Sequence, residues 1–464
     1  VFPATQIRPG VPYREYVNFK YIGDLMSSKK MKAKSQYYPE LRDLNVDLSV
    51  HSQIGSGYKL ADLGSLDEFH DRLAKYDIAD LPLNYVLADK AIGYFTDQII
   101  SCSFVPFNGA FDRMDKSKSI GFGAKKLGCF SRLDPLMKEY LEDYVYASSQ
   151  FPHHVIVSAS QKDEIRVETK TPRLFTSFPP EHTFLATIVL GDFLRQFINN
   201  RFCVNKCISA VGDAAQNGAL VYYKEELSRR PFLYCTDTSA QDTSVTTQFL
   251  NLVYDKIKLL YTMDTEDENL FEAVRFNSIN KLMNVNGQLY LVKRGLGSGD
   301  YLTIVINIMW RLYMILENYK YDIDKFFDEN TVIICGDDLI MSSNYGDLDL
   351  SSKYAKIEWA GKPVTWAEMD FCSMKFLPYI HHDENKVRAV LTLRKKKQHS
   401  LSPVFELQRL AGLLRTLTNK KLYNEILDIM IELTKKNDLY LEFDNLYISY
   451  DLLFMQYNTY RIFA

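Results

Sequence analysis

Asp337 and Asp338 stand side by side between two runs of almost purely apolar residues, 331–335 and 339–341. Two like charges on a tight apolar hairpin are costly to hold unless a cation neutralises them. Asp237 ends another apolar stretch, 232–237, and supplies a third carboxylate if the strands lie side by side. Three such side chains can hold two Mg²⁺ ions, one activating an attacking hydroxyl and the other clamping the leaving phosphates. Phosphoryl transfer needs charge neutralisation and in-line placement more than a covalent residue. Hard oxygen ligands favour Mg²⁺, with Mn²⁺ as the substitute.

The segments around these carboxylates must deliver them to one place. Residues 232–237 read as a short strand, and 331–341 as a hairpin with acid at its tip. Apolar residues at helical spacing (Phe249, Leu250, Val253, Ile257) predict a helix over 245–261. Gly295-Leu-Gly-Ser-Gly299 is a tight loop, followed by a buried helix over 302–316. Residues 135–146 and 181–207 are expected to be helical, and 155–175 to form a strand, a charged bend and another strand. A short hairpin follows Trp366, and helices begin near Pro403. The basic, glycine-containing stretch 115–126 reads as a loop. The first hundred residues carry few periodic signals.

The 464 residues and 53.8 kDa allow a large core, with roughly three quarters of the unfolded surface buried on folding and no need of a staple. At 47% hydrophobic and 24% charged, the chain is not disordered, collagenous or coiled-coil. A net charge of −3 argues against coating nucleic acid through bulk charge, though not against a local channel. The seven cysteines are scattered, and the lone CxxxC at Cys203 and Cys207 has no partner pair, so neither zinc nor a disulfide framework is expected. Apolar runs are too short to span a bilayer. A first residue of Val suggests release from a longer precursor or trimming.

The spacing of the motifs resembles the RNA-dependent RNA polymerases of positive-strand RNA viruses, most closely the picornavirus-like group. That family's Asp, four residues, Asp element is matched by Asp237-Thr-Ser-Ala-Gln-Asp242. Its next motif is matched in register by Gly295, Ser298, Gly299, Thr303 and Asn307. Its third is Gly336-Asp337-Asp338, with Cys335 where tyrosine is common. Lys162-Asp-Glu-Ile-Arg166 matches the family's Lys-Asp-Glu-apolar-Arg element, and Lys170, Arg173, Leu174 and Phe175 follow. Phe371-Cys-Ser-Met-Lys-Phe376 resembles the primer-grip hairpin, where the picornavirus form has Leu-Lys-Arg.

The resemblance implies an α+β right-hand polymerase. Fingers would occupy 1–231, a palm with an antiparallel sheet and helices on one side 232–380, and a small helical thumb 381–464. Part of 255–290 would return to the fingers. It further implies Asp237 and Asp337 as principal metal ligands with Asp338 beside them. Asp242, Ser298, Thr303 and Asn307 would sense the ribose, because a site built to bond a 2′-hydroxyl rejects a substrate lacking it. Reverse transcriptases share the acidic palm but lack this polar set.

Lys162, Arg166, Lys170 and Arg173 would meet the triphosphate. Lys362 would protonate the leaving pyrophosphate, with Lys356 as the alternative. RNA contacts would come from Lys118, Ser119 and Gly121 in the basic loop, from Gly299, and from Lys375 on primer phosphate. The basic run 394–397 reads as a solvated turn or an RNA-exit contact. The expected partners are template RNA, an RNA or genome-linked protein primer, NTPs and viral replication proteins, in host cytoplasm or in the particle of a double-stranded RNA virus. The competing readings are a reverse transcriptase or other palm-type nucleotidyltransferase, and a non-catalytic RNA-binding replication scaffold.

Overall fold

The computed structural model describes residues 7–25, 36–37, 58–60, 65–116, 128–129, 131–162, 164–167, 173–200, 207–211, 219–392, 394–395 and 403–458. Two sheets organise this α+β chain. The smaller one carries the acidic segments. Its five strands run in the order Ile357–Glu358, Phe232–Thr238, Asp338–Ser343, Asn330–Cys335, Cys207–Ser209.

The alternation of side chains along these strands explains their nearly unbroken apolar composition. Tyr234, Val332, Ile334, Leu339 and Met341 pack on one face against the helix Thr303–Asn318. Leu233, Cys235, Ile333 and Ile340 point to the other, against the helix Ala219–Leu227, Phe371 and Met374, and the helix Tyr450–Asn458. A sheet covered on both faces needs apolar residues at successive positions. The expectation of helices on one side is therefore corrected. The four strands from Ile357–Glu358 to Asn330–Cys335 pair antiparallel, and the edge strand Cys207–Ser209 joins Asn330–Cys335 in parallel.

The larger sheet has six strands, ordered Ile7–Arg8, Lys20–Leu25, Gln288–Val292, Lys281–Val285, Ile156–Gln161, Leu174–Ser177. The hairpin Lys281–Val292 thus pairs with both the N-terminal segment and the 156–177 segment. Thr303–Asn318 lies at the centre of the molecule and is buried at every position from Val305 to Leu316. A helix apolar on all sides belongs in the interior.

Against it packs the helix Tyr85–Thr96, capped by Asn84, whose side chain accepts from the Leu87 amide. That helix escaped the sequence reading because apolar residues also lie on its outer face (Tyr85 and Val86 are exposed), so no one-sided periodicity marks the buried Ala88, Ala91 and Ile92. The helix expected over 181–207 runs only over Pro180–Asn199, and Cys207 begins a strand. The helix expected over 245–261 is Thr247–Lys258, with Thr246 as its cap. Among the described residues no helix is long and apolar enough to cross a membrane.

Candidate active site

The Asn330–Cys335/Asp338–Ser343 hairpin turns at Gly336, whose φ of +66° is readily adopted by glycine. Asp337 stands at the tip, open to solvent on one side, and Asp338 is half-buried. The neighbouring strand pairs Thr236 with Leu339, which brings Asp237 alongside Asp338. Desolvation and then the charge of Asp237 push the Asp337 carboxyl above its ordinary range. Desolvation, followed by Asp337, Asp237 and Asp370, pushes Asp338 up to about 6. Carboxyl groups raised by burial and by neighbouring carboxylates form a site short of positive charge.

Among the described residues, no three His, Cys, Asp or Glu side chains close to the geometry of an ion site. The chemistry of the donors nonetheless fits a hard divalent cation, since Asp237, Asp337 and Asp338 offer only carboxylate oxygen. Cys335 is in hydrogen-bonding contact with Cys372, and both are free thiols. For the CxxxC pair, Cys203 lies outside the described residues, as does the side chain of Cys207.

Asp242 follows a turn in which Ala240 takes φ +56°, an uncommon conformation for a residue with a Cβ. The Asn307 side-chain amide donates to Asp242 Oδ1 at 2.6 Å. Burial raises the Asp242 carboxyl, while Asn307 pulls it back down. These two members of the expected ribose set meet. The other two are engaged elsewhere. Ser298 Oγ accepts from the Thr176 amide at 3.1 Å, and Thr303 Oγ1 donates to the carbonyls of Gly297 at 2.6 Å and Asp300 at 3.0 Å. They fold the Gly295–Gly299 loop onto the larger sheet and onto the start of the central helix. A Cβ on Gly299 would lie 2.3 Å from the Thr176 carbonyl oxygen, so glycine is required there by close backbone approach.

Arg173 makes a two-pronged pair with Glu164, Nε to Oε1 at 2.6 Å and Nη2 to Oε2 at 2.5 Å. Lys162 Nζ lies 3.3 Å from the same carboxylate. Arg173 also feels the charges of Asp337 and Asp242, so its guanidinium sits within electrostatic reach of the acidic cluster. Lys362 is exposed just beyond the strand Ile357–Glu358, in which Glu358 pairs with Asp237. The carbonyl of Lys356 accepts from the Ser239 amide. Lys375 is tied to Asp370 at 2.9 Å. Arg166 lies in a strand opposite Lys59, its side chain outside the described residues. Lys118, Ser119, Gly121 and Lys170 lie outside them altogether, as do the side chains of the 394–397 run.

Three residues that hold this site were not picked out from the sequence. Gln241, buried, donates from Nε2 to the Asn307 carbonyl at 3.0 Å and to the Gly336 carbonyl at 2.9 Å. It lies inside the Asp237–Asp242 motif, where a polar side chain next to an acid gave no distinguishing signal. Lys281, buried, donates to the carbonyls of Ser278, Ile279 and Gly295 at 3.2, 3.2 and 2.7 Å, pinning the loop to the end of the helix Thr265–Ile279. Arg311 continues the Thr303, Asn307 spacing by one further turn, and that periodicity could have found it.

The family model described as "Viral RNA-dependent RNA polymerase" matches residues 106–388. The RNA1 polyprotein of Grapevine chrome mosaic virus is 25% identical over 276 residues, covering 53% of this chain and 12% of that protein. The chain thus corresponds to a small part of the curated relative's length.

Proposed function

The chain belongs to the viral RNA-dependent RNA polymerase family, and from that premise we propose that it copies an RNA template into RNA by joining NTPs to a primer 3′ end. The observation that carries this reading is the link between three segments. Gln241 ties the Asp237–Asp242 turn to the Asp337–Asp338 hairpin and to Asn307, so the acidic cluster and the Asp242–Asn307 pair form one unit.

In this reading Asp237 and Asp337 are the principal ligands of two Mg²⁺ ions, with Asp338 beside them and Mn²⁺ as a substitute. Bound metal would supply the positive charge that phosphoryl transfer demands and would acidify the attacking hydroxyl. The primer 3′-hydroxyl gives up its proton to solvent and forms a bond to the α-phosphorus, the α–β anhydride bond breaks, and pyrophosphate leaves, taking a proton from Lys362, with Lys356 as the alternative donor. Asp242 and Asn307 meet the ribose 2′-hydroxyl, while Ser298 and Thr303 hold the loop that completes the pocket. Arg173, with Lys162, Arg166 and Lys170, receives the triphosphate, and Arg173 exchanges Glu164 for phosphate oxygens. Lys118, Ser119, Gly121, Gly299 and Lys375 line the RNA path.

Residues 1–231 would act as fingers, 232–380 as palm and 381–464 as thumb, the pairing of Lys281–Val292 with the larger sheet supporting a return of part of 255–290 to the fingers. Template RNA, an RNA or protein-linked primer and viral replication proteins are the partners this function calls for, in a cytoplasmic replication complex. The test is primer extension on a defined RNA template with NTPs and Mg²⁺, beside dNTPs and the Asp337→Asn protein. Extension with NTPs alone, absent in the variant, is the expected result. Equal use of dNTPs would favour a reverse transcriptase, and binding without extension a replication scaffold.

A further inference from the structure

Arg311 is fully buried, one helical turn beyond Asn307 on the central helix. Its Nη2 donates to Thr236 Oγ1, on the residue just before Asp237. Its Nε and Nη1 are buried without a hydrogen-bond partner among the described residues. The charges that act on it are those of Asp237 and Asp337. A buried guanidinium with two unsatisfied donors is expensive, and the nearby carboxylate charges are what offset that cost. What it offers is a fixed positive charge behind the acidic cluster, held in place by one hydrogen bond to the strand that carries Asp237.

We propose that Arg311 is the resident counter-cation of the Asp237–Asp337 cluster, balancing the carboxylates from within the fold and thereby setting how tightly the cluster takes a divalent ion. Arg311 is a positioning residue and touches no substrate. Its charge relieves the repulsion between the carboxylates before an ion arrives, and it opposes the ion once it is there. Arginine suits this role because its weakly hydrated, delocalised charge is the least costly cation to bury. This inference rests on the reading of Asp237 and Asp337 as metal ligands.

The experiment is Mn²⁺ binding to the full chain without RNA or nucleotide, followed by electron paramagnetic resonance, together with thermal unfolding in the absence and presence of Mn²⁺. Wild type, Arg311→Lys, Arg311→Met, Arg311→Gln and Asp337→Asn are compared. Removing the charge in Arg311→Met or Arg311→Gln is expected to tighten Mn²⁺ binding at least about tenfold, the lower bound set by one unit charge acting on a divalent ion about 6 Å away with the full screening of water. The same variants should be less stable without metal and gain more stability from it. Arg311→Lys, which keeps the charge, should bind Mn²⁺ like wild type. A purely structural arginine would lower stability in every variant and leave Mn²⁺ affinity unchanged, and that result overturns the proposal. Tightening in Arg311→Lys equal to that in Arg311→Met overturns it too. If the charge-removing variants fold only with Mn²⁺ present, the proposal stands; if Mn²⁺ does not rescue them, it falls. Wild type that binds no Mn²⁺, or binds it equally well as Asp337→Asn, instead refutes the metal-ligand reading itself.

Discussion

The side-chain amide of Gln241 reaches the backbone carbonyl of Gly336 at 2.9 Å, and its second hydrogen reaches that of Asn307 at 3.0 Å. Two facing carbonyls identify which end of the amide is nitrogen. One buried side chain therefore sets the distance between the turn that carries Asp242, the hairpin that carries Asp337 and the helix that carries Asn307. Both acceptors are backbone atoms, and the Asn307–Asp242 bond adds a second tie between the turn and the helix.

Replacing Gln241 with leucine keeps much of the volume, strands the Gly336 carbonyl and removes the second donor to the Asn307 carbonyl, which keeps its helical partner. A loss of about 2–4 kcal/mol in unfolding free energy is expected, with extension activity falling at least about tenfold as the carboxylates lose register. Urea denaturation beside primer extension measures both. A variant with wild-type stability and rate would show that the amide positions nothing.

Asp337→Asn should abolish synthesis while RNA affinity stays close to wild type, because the carboxylate serves the cation and not the RNA backbone. Fluorescence anisotropy on a labelled primer–template, repeated over a salt series, tests this. Affinity should fall with salt in both proteins despite the net charge of −3. Parallel loss of binding and activity would contradict the assignment.

The Asp242–Asn307 pair should govern choice of sugar. Asn307→Ala leaves Asp242 without its donor, and preference for NTP over dNTP should drop about 10–100-fold, mostly through poorer use of the NTP. Single-nucleotide addition with matched NTP and dNTP series gives the ratio. An unchanged ratio with a uniformly lower rate would assign the pair to structure alone.

Gly299→Ala would place a methyl group against the Thr176 carbonyl. The loop must move, at a cost of about 1–3 kcal/mol, and the Ser298–Thr176 contact opens. Thermal unfolding should show the loss, and Gly361→Ala, where a Cβ meets open space, should show little.

Burial lowers the Lys281 ammonium from its ordinary 10.5 to about 7. Between those values the unfolded chain binds a proton that the folded chain does not. Stability should therefore rise with pH from about 7 towards 10.5, by up to about 1.4 kcal/mol per unit, while below pH 7 the cost of the buried charge is present in full and constant. Lys281→Met should flatten that slope. Denaturation midpoints of both proteins from pH 6 to 9.5 make the comparison, and identical slopes would refute it.

The carboxylates proposed for the site could be named before any fold was known, because each stands beside a locally apolar segment. Asp237, Asp242, Asp337, Asp338 and Asn307 sit at spacings set by one strand, one hairpin and one helix, and apolar periodicity marks each of those elements. The α+β class is what the family resemblance implies, and the mixed sheets and helices agree with it. Where helices ended was less legible. The helix expected to reach Cys207 ends at Asn199, because the neighbouring strand Asn330–Cys335 recruits Cys207–Ser209 into the sheet, a long-range pairing with no trace in local composition.

What tertiary structure alone decided is which polar groups meet. Sequence placed Ser298 and Thr303 with Asp242 and Asn307, yet their hydroxyls are spent on Thr176, Gly297 and Asp300. It placed Arg173 and Lys162 on the nucleotide, and here both turn to Glu164. Gln241, Lys281 and Arg311 were passed over because each is an ordinary polar residue in the chain, made significant only by burial. Hydrogen bonds depend on distances of a few tenths of an ångström between segments far apart in sequence, whereas residue types and periodicity are properties of the segments themselves. The sequence by itself determined which groups could do the chemistry, and packing decided which of them are held together to do it.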